Sequence, residues 1–135
     1  MKFKVENLRT RKQEEVIYIT DTVADFISVS GLKEGLCVVY CPHTTAGLTI
    51  NEAADPSVAS DILMELGRRI PFQDGYAHGE GNSAAHIKAS LMGPGVTIPV
   101  RNGALQLGTW QGIYFCEFDG PRNRSFSISL LSDIE

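Results

Sequence analysis

Residues 96–131 decide the fold of this chain, and they read V-T-I-P-V-R-N-G-A-L-Q-L-G-T-W-Q-G-I-Y-F-C-E-F-D-G-P-R-N-R-S-F-S-I-S-L-L. Runs rich in β-branched and aromatic residues alternate here with short polar or glycine-containing segments, which is the pattern of successive strands. The C-terminal part of the chain is therefore predicted to be wholly β. The predicted strands cover 96–100, 104–107, 112–118 and 126–131.

Upstream of this region, four more segments have the composition of strands. Residues 3–9 and 14–20 flank a polar turn, and the second of them is β-branched and aromatic. Residues 36–40 form a continuous apolar run, which predicts a central strand buried on both faces. Residues 46–50 are predicted either to continue that strand or to pair with it.

Three helices are predicted between the strands. The first begins at a capping-box-like pair, Thr22 and Asp25, and stops at Gly31. The second begins at the cap residue Asp55, with Pro56 at its first position. The third runs from position 82 or 83 to about 92.

These elements together predict a single α+β domain over residues 1–135. The chain has 135 residues, 43% of them hydrophobic, which suits one core. Seven or eight strands exceed what one flat sheet of this size covers easily. We therefore expect a curved mixed sheet or a sandwich, with the three helices packed outside.

Composition argues against several classes of partner. The net charge of −4 gives no basic face for nucleic acid. No apolar run approaches the roughly 20 residues of a membrane span. Residues 1–7 lack the apolar stretch of a signal peptide. The cysteines, Cys37, Cys41 and Cys116, are odd in number and lie in apolar surroundings, so we expect reduced core residues of a cytoplasmic protein.

All three histidines of the chain lie in dense polar segments. His43 lies within 41–47, and His78 and His86 lie within 76–88. Imidazole is a common ligand for transition metals and the usual acid or base near neutral pH. We predict that the three side chains converge on one metal or anion site. The alternative is that two neighbour a helix cap and one is a packed loop residue.

The start of the third helix is a candidate anion site. His86 falls in the first turn, where the helix dipole disfavours imidazolium and keeps the ring neutral. The glycine-rich lead-in leaves N–H groups at Asn82 and Ser83, which suit a phosphate or carboxylate. Lys88 adds a charge to this site, unless it is simply solvated.

Polar residues also follow the predicted buried strand. Thr44 and Thr45 come directly after His43, and Glu52 and Asp55 come shortly later. A carboxylate here would complete a mixed histidine and carboxylate site. The alternatives are a helix cap at Asp55 and ordinary strand-end hydrogen bonds from the threonines.

A third polar cluster surrounds the predicted strand 112–118. Trp110, the only tryptophan, precedes this strand and is a candidate cover for a cavity, and Glu117 is a candidate proton-transfer group. Arg122 and Arg124 alternate in a β pattern and are candidates to clamp an anion. The alternative is a hairpin turn at 119–121 flanked by solvated arginines.

The motifs at 42–52, 81–88, 108–113 and 119–122 resemble the YjbQ family, in order and over nearly the whole chain. The family consists of small cytosolic α+β proteins that form trimers. Its members are described as secondary thiamine-phosphate synthases. That activity joins a hydroxymethylpyrimidine diphosphate to a thiazole phosphate and releases diphosphate. The resemblance therefore implies a homotrimer that acts on a phosphorylated small molecule.

A reaction that releases diphosphate needs positive charge on the departing group. We expect a divalent metal ion, zinc-like or magnesium, on His43, His78 and His86. The candidate catalytic residues are His86, Glu52, Asp55 and Glu117. The candidate phosphate-binding residues are Thr44, Thr45, Asn82, Ser83, Lys88, Trp110, Arg122 and Arg124. The competing function is a trimeric protein that binds a metal or small ligand without efficient turnover.

Overall fold

The structure, a computed structural model, describes residues 2–133. Eight strands and three helices lie within this range, and they confirm the α+β fold class. The strands are β1 Lys2–Arg9, β2 Glu15–Tyr18, β3 Gly35–Tyr40, β4 Ala46–Glu52, β5 Gly95–Arg101, β6 Ala104–Leu105, β7 Gln111–Glu117 and β8 Asn123–Ser132. The helices are α1 Thr20–Ser30, α2 Pro56–Arg69 and α3 Ser83–Met92.

The strands form two antiparallel sheets. The larger sheet has the order β1-β8-β3-β5-β6, and the smaller has the order β2-β7-β4. The prediction that 46–50 continues or pairs with the preceding strand is wrong, because β4 pairs with β7 in the other sheet. The chain changes sheet in the segment 41–45, where Pro42 interrupts the strand pattern.

The main core fills the space between the two sheets. Alternate residues of β3 and β8 point inward, and they include the fully buried Val39 and Ile128. From the smaller sheet, Leu48 and Phe115 face them and are also fully buried. The period of two along each strand thus supplies one apolar face per sheet, as sandwich packing requires.

Strand β3 is central, but it is not buried on both faces as predicted. Leu36 and Tyr40 are 43% and 50% exposed, while Cys37 and Val39 between them are fully buried. The larger sheet is covered on its inner side only, so the apolar run of β3 leaves alternate side chains outside. Phe3 and Val5 of β1 are also at least half exposed.

The helix starts follow local hydrogen bonds. Asp55 caps α2 as predicted, since its carboxylate accepts the N–H of Ser57 at 2.9 Å. The predicted start of α1 at Thr22 is wrong, because that helix begins at Thr20. The Thr20 hydroxyl accepts the N–H of Ile113 at 2.8 Å, which ties the first turn to β7.

Helix α3 lies close against strand β4. Its inward residues Ala84, Ala85 and Ala89 are small, which lets the two backbones approach. A Cβ at Gly47 of β4 would lie 2.8 Å from the carbonyl oxygen of Gly93, so only glycine fits there. This packing fixes the position of the helix start.

A second change of sheet occurs between β7 and β8. The alternative prediction, a hairpin turn at 119–121, is wrong. The strands on either side of this segment, β7 and β8, belong to different sheets. The N–H of Phe118 donates to the carbonyl of Thr45 at 3.1 Å, so both sheet-changing segments meet at one end of the sandwich. None of the helices in residues 2–133 is long and apolar enough to cross a membrane.

Candidate functional site

An open cleft of about 410 Å³ lies where the two sheet-changing segments meet the start of α3. All three histidines of the chain line it, although His43 is 35 residues from His78 in the sequence. We call it the histidine cleft. Its lining residues are Pro42, His43, Thr44, Thr45, His78, Glu80, Asn82, His86, Asp119, Arg122 and Arg124.

His43 occupies the position where strand β3 would have continued. Tyr40, the last residue of β3, pairs with Ser127 of β8, and the ring of His43 contacts the backbone of Ser125, two residues earlier in β8. Its Nε2 accepts the N–H of Ser125 at 2.9 Å and lies 3.1 Å from the Ser125 carbonyl oxygen. In the tautomer that this shorter contact requires, Nδ1 carries the proton and is the nitrogen left for a ligand.

The charge state of His43 follows from its surroundings. Burial is the first cause that lowers its pKa, and the nearby Arg124 guanidinium lowers it further. A backbone contact with Ser125 and the charge of Glu117 act in the opposite direction but are smaller. His43 is therefore neutral near pH 7 and offers an Nδ1–H donor to the oxygen of an anion.

His78 and His86 form the second half of the histidine set. Their rings meet edge to face with centroids 5.5 Å apart, and His78 also lies 3.9 Å from the Glu80 carboxylate. Within residues 2–133, no group of three His, Cys, Asp or Glu side chains is arranged to hold a metal ion. His78 and His86 are therefore two neighbouring imidazoles with no third such side chain grouped with them in this part of the chain.

The start of α3, which adjoins the cleft through Asn82 and His86, has unused N–H groups. Asn82 stands at the cap position, and its carbonyl accepts from Ala85 at 3.0 Å and from His86 at 3.4 Å. Its side chain makes no capping hydrogen bond, and the N–H groups of Ser83 and Ala84 have no partner in the described part of the chain. Such groups, with the helix dipole, favour an anion.

Asn82 is held by a chain of polar contacts. Its Nδ2 donates to Asp119 Oδ2 at 2.8 Å, and Arg122 Nη2 donates to the same oxygen at 2.9 Å. Asn82 is 9% exposed, yet its Oδ1 finds no hydrogen-bond partner among residues 2–133. An unpartnered buried acceptor is costly, so a donor from a ligand or water would satisfy it.

Arg124 and Glu117 form a buried ion pair behind the cleft. Arg124 Nε and Nη2 donate to the two carboxylate oxygens of Glu117 at 2.8 and 2.5 Å, a bidentate arrangement. The hydroxyl of Thr10 donates to Glu117 at 2.7 Å, and Arg124 also donates to the hydroxyl of Thr45 at 2.7 Å. Glu117 is completely buried.

The pair explains the charge state of Glu117. Burial alone would raise its pKa, but hydrogen bonds from Arg124, the Asp119 N–H and Thr10 outweigh burial and lower it. The carboxylate is thus ionised, fully hydrogen-bonded and closed to ligands, so it is not placed for the predicted proton transfer. Arg124 reaches the cleft, while within residues 2–133 no hydrogen bond uses its Nη1.

Lys88, predicted to bind phosphate, points away from the cleft. It is 1% exposed, and its ammonium group donates to Glu14 at 2.6 Å and lies 5.2 Å from the Phe72 ring centroid. Because α3 turns 100° per residue, Lys88 lies on the inner face of the helix rather than at its exposed start. It fastens α3 to the turn between β1 and β2.

Three other predicted residues also lie away from the cleft. Glu52 ends β4, six residues and about 20 Å beyond Ala46, and accepts the N–H of Ala54 at 2.9 Å. Asp55 caps α2. Trp110 is 64% exposed and lines no part of the histidine cleft.

Two cleft carboxylates, Asp119 and Glu80, have no role in the predicted site. Both were visible in the sequence, Asp119 in the turn before Arg122 and Glu80 between two glycines. Their proximity to the histidines depends on the two changes of sheet, which no local pattern reveals. The carboxylates that line the cleft are therefore Asp119 and Glu80, and the predicted Glu52, Asp55 and Glu117 lie outside it.

Comparison with known proteins supplies independent information. The family described as UPF0047 protein YjbQ-like matches residues 4–133. A UPF0047 protein of Methanocaldococcus jannaschii is 51% identical over 133 residues, which are 98% of this chain and 96% of that protein. The UPF0047 protein YugU of Bacillus subtilis is 48% identical, covering 95% of this chain and 98% of its own length.

Solved structures give the same result for the fold. The crystal structure of an uncharacterised YjbQ/UPF0047 protein from Clostridium acetobutylicum superposes with a TM-score of 0.93 at 52% identity, covering 95% of this chain and 99% of that one. A hypothetical protein from Aeropyrum pernix has the same TM-score at 35% identity, with 98% and 100% covered.

Proposed function

Because the chain belongs to the YjbQ-like UPF0047 family, we propose that it is an enzyme whose active site is the histidine cleft and whose substrates are phosphorylated small molecules. The reaction we propose is the formation of thiamine phosphate. It joins a hydroxymethylpyrimidine diphosphate to a thiazole phosphate and releases diphosphate. The family resemblance suggests this reaction, and the chemistry of the cleft supports it.

The convergence of His43, His78 and His86 with Arg122 on the start of α3 carries the proposal. These groups come from three separate parts of the chain and include every histidine. A purely structural end of the sandwich has no need of three imidazoles and an arginine in one open cleft beside unused helix N–H groups. A bound anion would give these side chains and the adjoining N–H groups a common partner.

The positive groups of the cleft suit the release of diphosphate. The departing group takes the electron pair of the broken bond, so charge on its oxygens increases in the transition state. His43, through its Nδ1–H, and Arg122, through its guanidinium, line the cleft and are donors for those oxygens, and the N–H groups of Ser83 and Ala84 lie at the adjoining start of α3. Preorganised donors of this kind are usually the largest single contribution to catalysis.

The attacking thiazole nitrogen carries no proton to lose, so proton transfer in the proposed reaction serves only the departing diphosphate, and Asp119 and His86 are the cleft groups that we propose for it. Asp119 uses Oδ2 to hold Asn82 and Arg122, so Oδ1 is the carboxylate oxygen left for a ligand. His86 lies in the first turn of α3 and lines the cleft. Glu52, Asp55 and Glu117 have no part in this step because of where they lie.

A divalent ion is also part of the proposal. His78 and His86 would hold it, whereas His43, expected from the sequence as the third ligand, uses Nε2 to accept the N–H of Ser125 and is assigned to the anion instead. Histidine ligands favour zinc or a similar ion over magnesium. When bound, such an ion would add positive charge beside the phosphate oxygens. Thr44, which lines the cleft, is placed to donate a further hydrogen bond to those oxygens.

The proposal is tested by an assay of thiamine phosphate formation with the metal removed and then restored. Purified protein is stripped with a chelator, and zinc, nickel, manganese or magnesium is added back. We expect the rate to fall on stripping and to return with zinc or a similar ion, along with about one ion per chain. Absence of thiamine phosphate with every ion tested would contradict the proposed reaction.

A second function, binding without turnover, is favoured by one observation. None of the three carboxylates expected from the sequence to transfer protons lines the cleft, and a pure binder needs no such group. In that case the protein would bind diphosphate, yet the assay above would show no thiamine phosphate. The two outcomes therefore separate the functions.

We also propose that the protein is a cytoplasmic homotrimer. The three cysteines are free and buried, as in a reducing compartment. The outward face of the larger sheet exposes Phe3, Val5, Leu36 and Tyr40, an apolar surface that further copies of the chain would cover.

The trimer gives a direct expectation for hydrodynamics. Sedimentation equilibrium at micromolar concentration is expected to give three times the 14.7 kDa mass of the chain. Val5→Glu places a charge on the exposed face of β1 without touching the core, so we expect it to shift the protein to monomer. Wild-type protein that sediments as a monomer would refute the trimer.

A further inference from the structure

A second cavity, of about 350 Å³, lies beside the histidine cleft. The two share His43, Thr44 and His86 among their lining residues, so they adjoin along these side chains. We call it the side cavity. A ligand bound at the histidines can therefore extend from one space into the other.

The two spaces differ in chemistry. The histidine cleft has two arginines and two carboxylates in its lining. Beyond the shared residues, the side cavity is lined by Ala46, Ala89, Ser90 and Pro94, none of them charged. The first lining favours a charged phosphate, while the second favours a compact apolar group.

The walls of the side cavity are held by backbone hydrogen bonds. The N–H of Cys41 donates to the Pro94 carbonyl at 2.7 Å, and the N–H of Leu48 donates to the Gly93 carbonyl at 3.0 Å. The close approach at Gly47 fixes α3 against the same strand. The cavity is therefore formed before a ligand arrives, which reduces the ordering cost of binding.

We propose that the side cavity is a subsite for the uncharged part of the ligand whose phosphate lies in the histidine cleft. The ligand class is a phosphate or diphosphate ester of a compact, mostly apolar ring. The bond between the two parts then lies beside His43 and His86. This inference rests on the proposed phosphate site, and it adds the position and character of the other half of the ligand.

The test compares two probes that differ only in an apolar ring, inorganic phosphate and phenyl phosphate. Calorimetric titration of the full chain is expected to give a dissociation constant about tenfold lower for phenyl phosphate, since ring burial adds apolar contact. Ser90→Phe then fills the side cavity. Ser90 is exposed, and its hydroxyl donates a hydrogen bond to the His86 carbonyl at 2.9 Å. Because the side chain lies outside the core, we expect the fold to tolerate the change.

Ser60→Phe is the matched control. Ser60 is also an exposed helical serine, with its hydroxyl on the Ser57 carbonyl at 3.0 Å, but it lies on α2 outside both spaces. We expect Ser90→Phe to abolish the tenfold advantage of phenyl phosphate while phosphate binding stays unchanged. Ser60→Phe is expected to leave both affinities at the wild-type values.

Each other outcome has a defined meaning. Equal affinity of the wild type for both probes, or an advantage that survives Ser90→Phe, would overturn the subsite while leaving the phosphate site standing. Loss of both affinities in folded Ser90→Phe would show that the two spaces are not separate subsites. If neither probe binds wild-type protein, the proposed phosphate site fails, and the subsite fails with it.

Discussion

Glu117→Gln is expected to lower the free energy of unfolding by about 3–5 kcal/mol, the usual cost of breaking a buried ion pair. The amide keeps the volume of the side chain but removes the charge. Arg124 would then remain buried with no compensating carboxylate, and Thr10 would lose a charged acceptor. Urea denaturation of the two proteins at pH 7 measures the difference.

The pH dependence of this stability follows from the direction of the pKa shift. The folded-state pKa of Glu117 lies below the ordinary glutamate value, so the unfolded chain takes up a proton first as the pH falls. The contribution of Glu117 is therefore complete above the ordinary value of about 4.3 and is lost below it. Glu117→Gln should remove this part of the acid sensitivity.

The control for the ion pair is Glu6→Gln. Glu6 lies in strand β1 and pairs with Lys4 at 2.8 Å, but both side chains are partly exposed. An exposed pair contributes only about 0–1 kcal/mol, so the control should be nearly as stable as the wild type. Equal losses of unfolding free energy in the two variants would show that the buried Glu117–Arg124 pair contributes no more to stability than an exposed pair. Removal of Arg124 should also cost less in the Glu117→Gln background.

His86→Ala and Arg122→Ala are each expected to reduce single-turnover formation of thiamine phosphate by about 10²–10³-fold. His86 belongs to the proposed metal-binding and proton-transfer groups, and Arg122 is the exposed guanidinium of the cleft. Neither side chain belongs to the buried core, so the fold should survive. Arg122→Ala also releases Asp119, which Arg122 contacts at 2.9 Å.

Arg101→Ala is the matched control for Arg122→Ala. Arg101 is likewise an exposed arginine paired with one carboxylate, Glu34 at 3.3 Å, but it lies at the far end of β5. Arg101→Ala should form thiamine phosphate at the wild-type rate. A near-normal rate in folded His86→Ala with unchanged metal content would refute the mechanism and favour the binding protein.

Much of the fold follows from local patterns. The helix stop at Gly31, the cap at Asp55 and the alternating strands of the C-terminal region are each set by residues within a few positions. The burial of β3 was mispredicted because an apolar run does not show whether a second layer covers the sheet. In this chain Leu36 and Tyr40 face outward.

The candidate site was harder to predict than the fold. Grouping the histidines by their polar neighbours was sufficient to select side chains that share a cleft. The polar neighbours of a carboxylate did not show whether it lies in the cleft. Glu117 and Asp119 are only two residues apart, yet Glu117 is buried behind Arg124 and Asp119 lines the cleft. That difference arises at the end of β7, where the chain leaves its sheet. Lys88 likewise reaches Glu14 across 74 positions of sequence.

The most direct test of the central claim is amide chemical-shift mapping during a titration with inorganic diphosphate. If the histidine cleft binds phosphate groups, the largest shifts will cluster at Ser83, Ala84 and His86, with Arg122 and Thr44 next. Arg101 and Lys33, which lies beside Gly103, are at the end of the sandwich opposite the cleft. Shifts confined to these two residues, or no shifts at millimolar diphosphate, would contradict the claim.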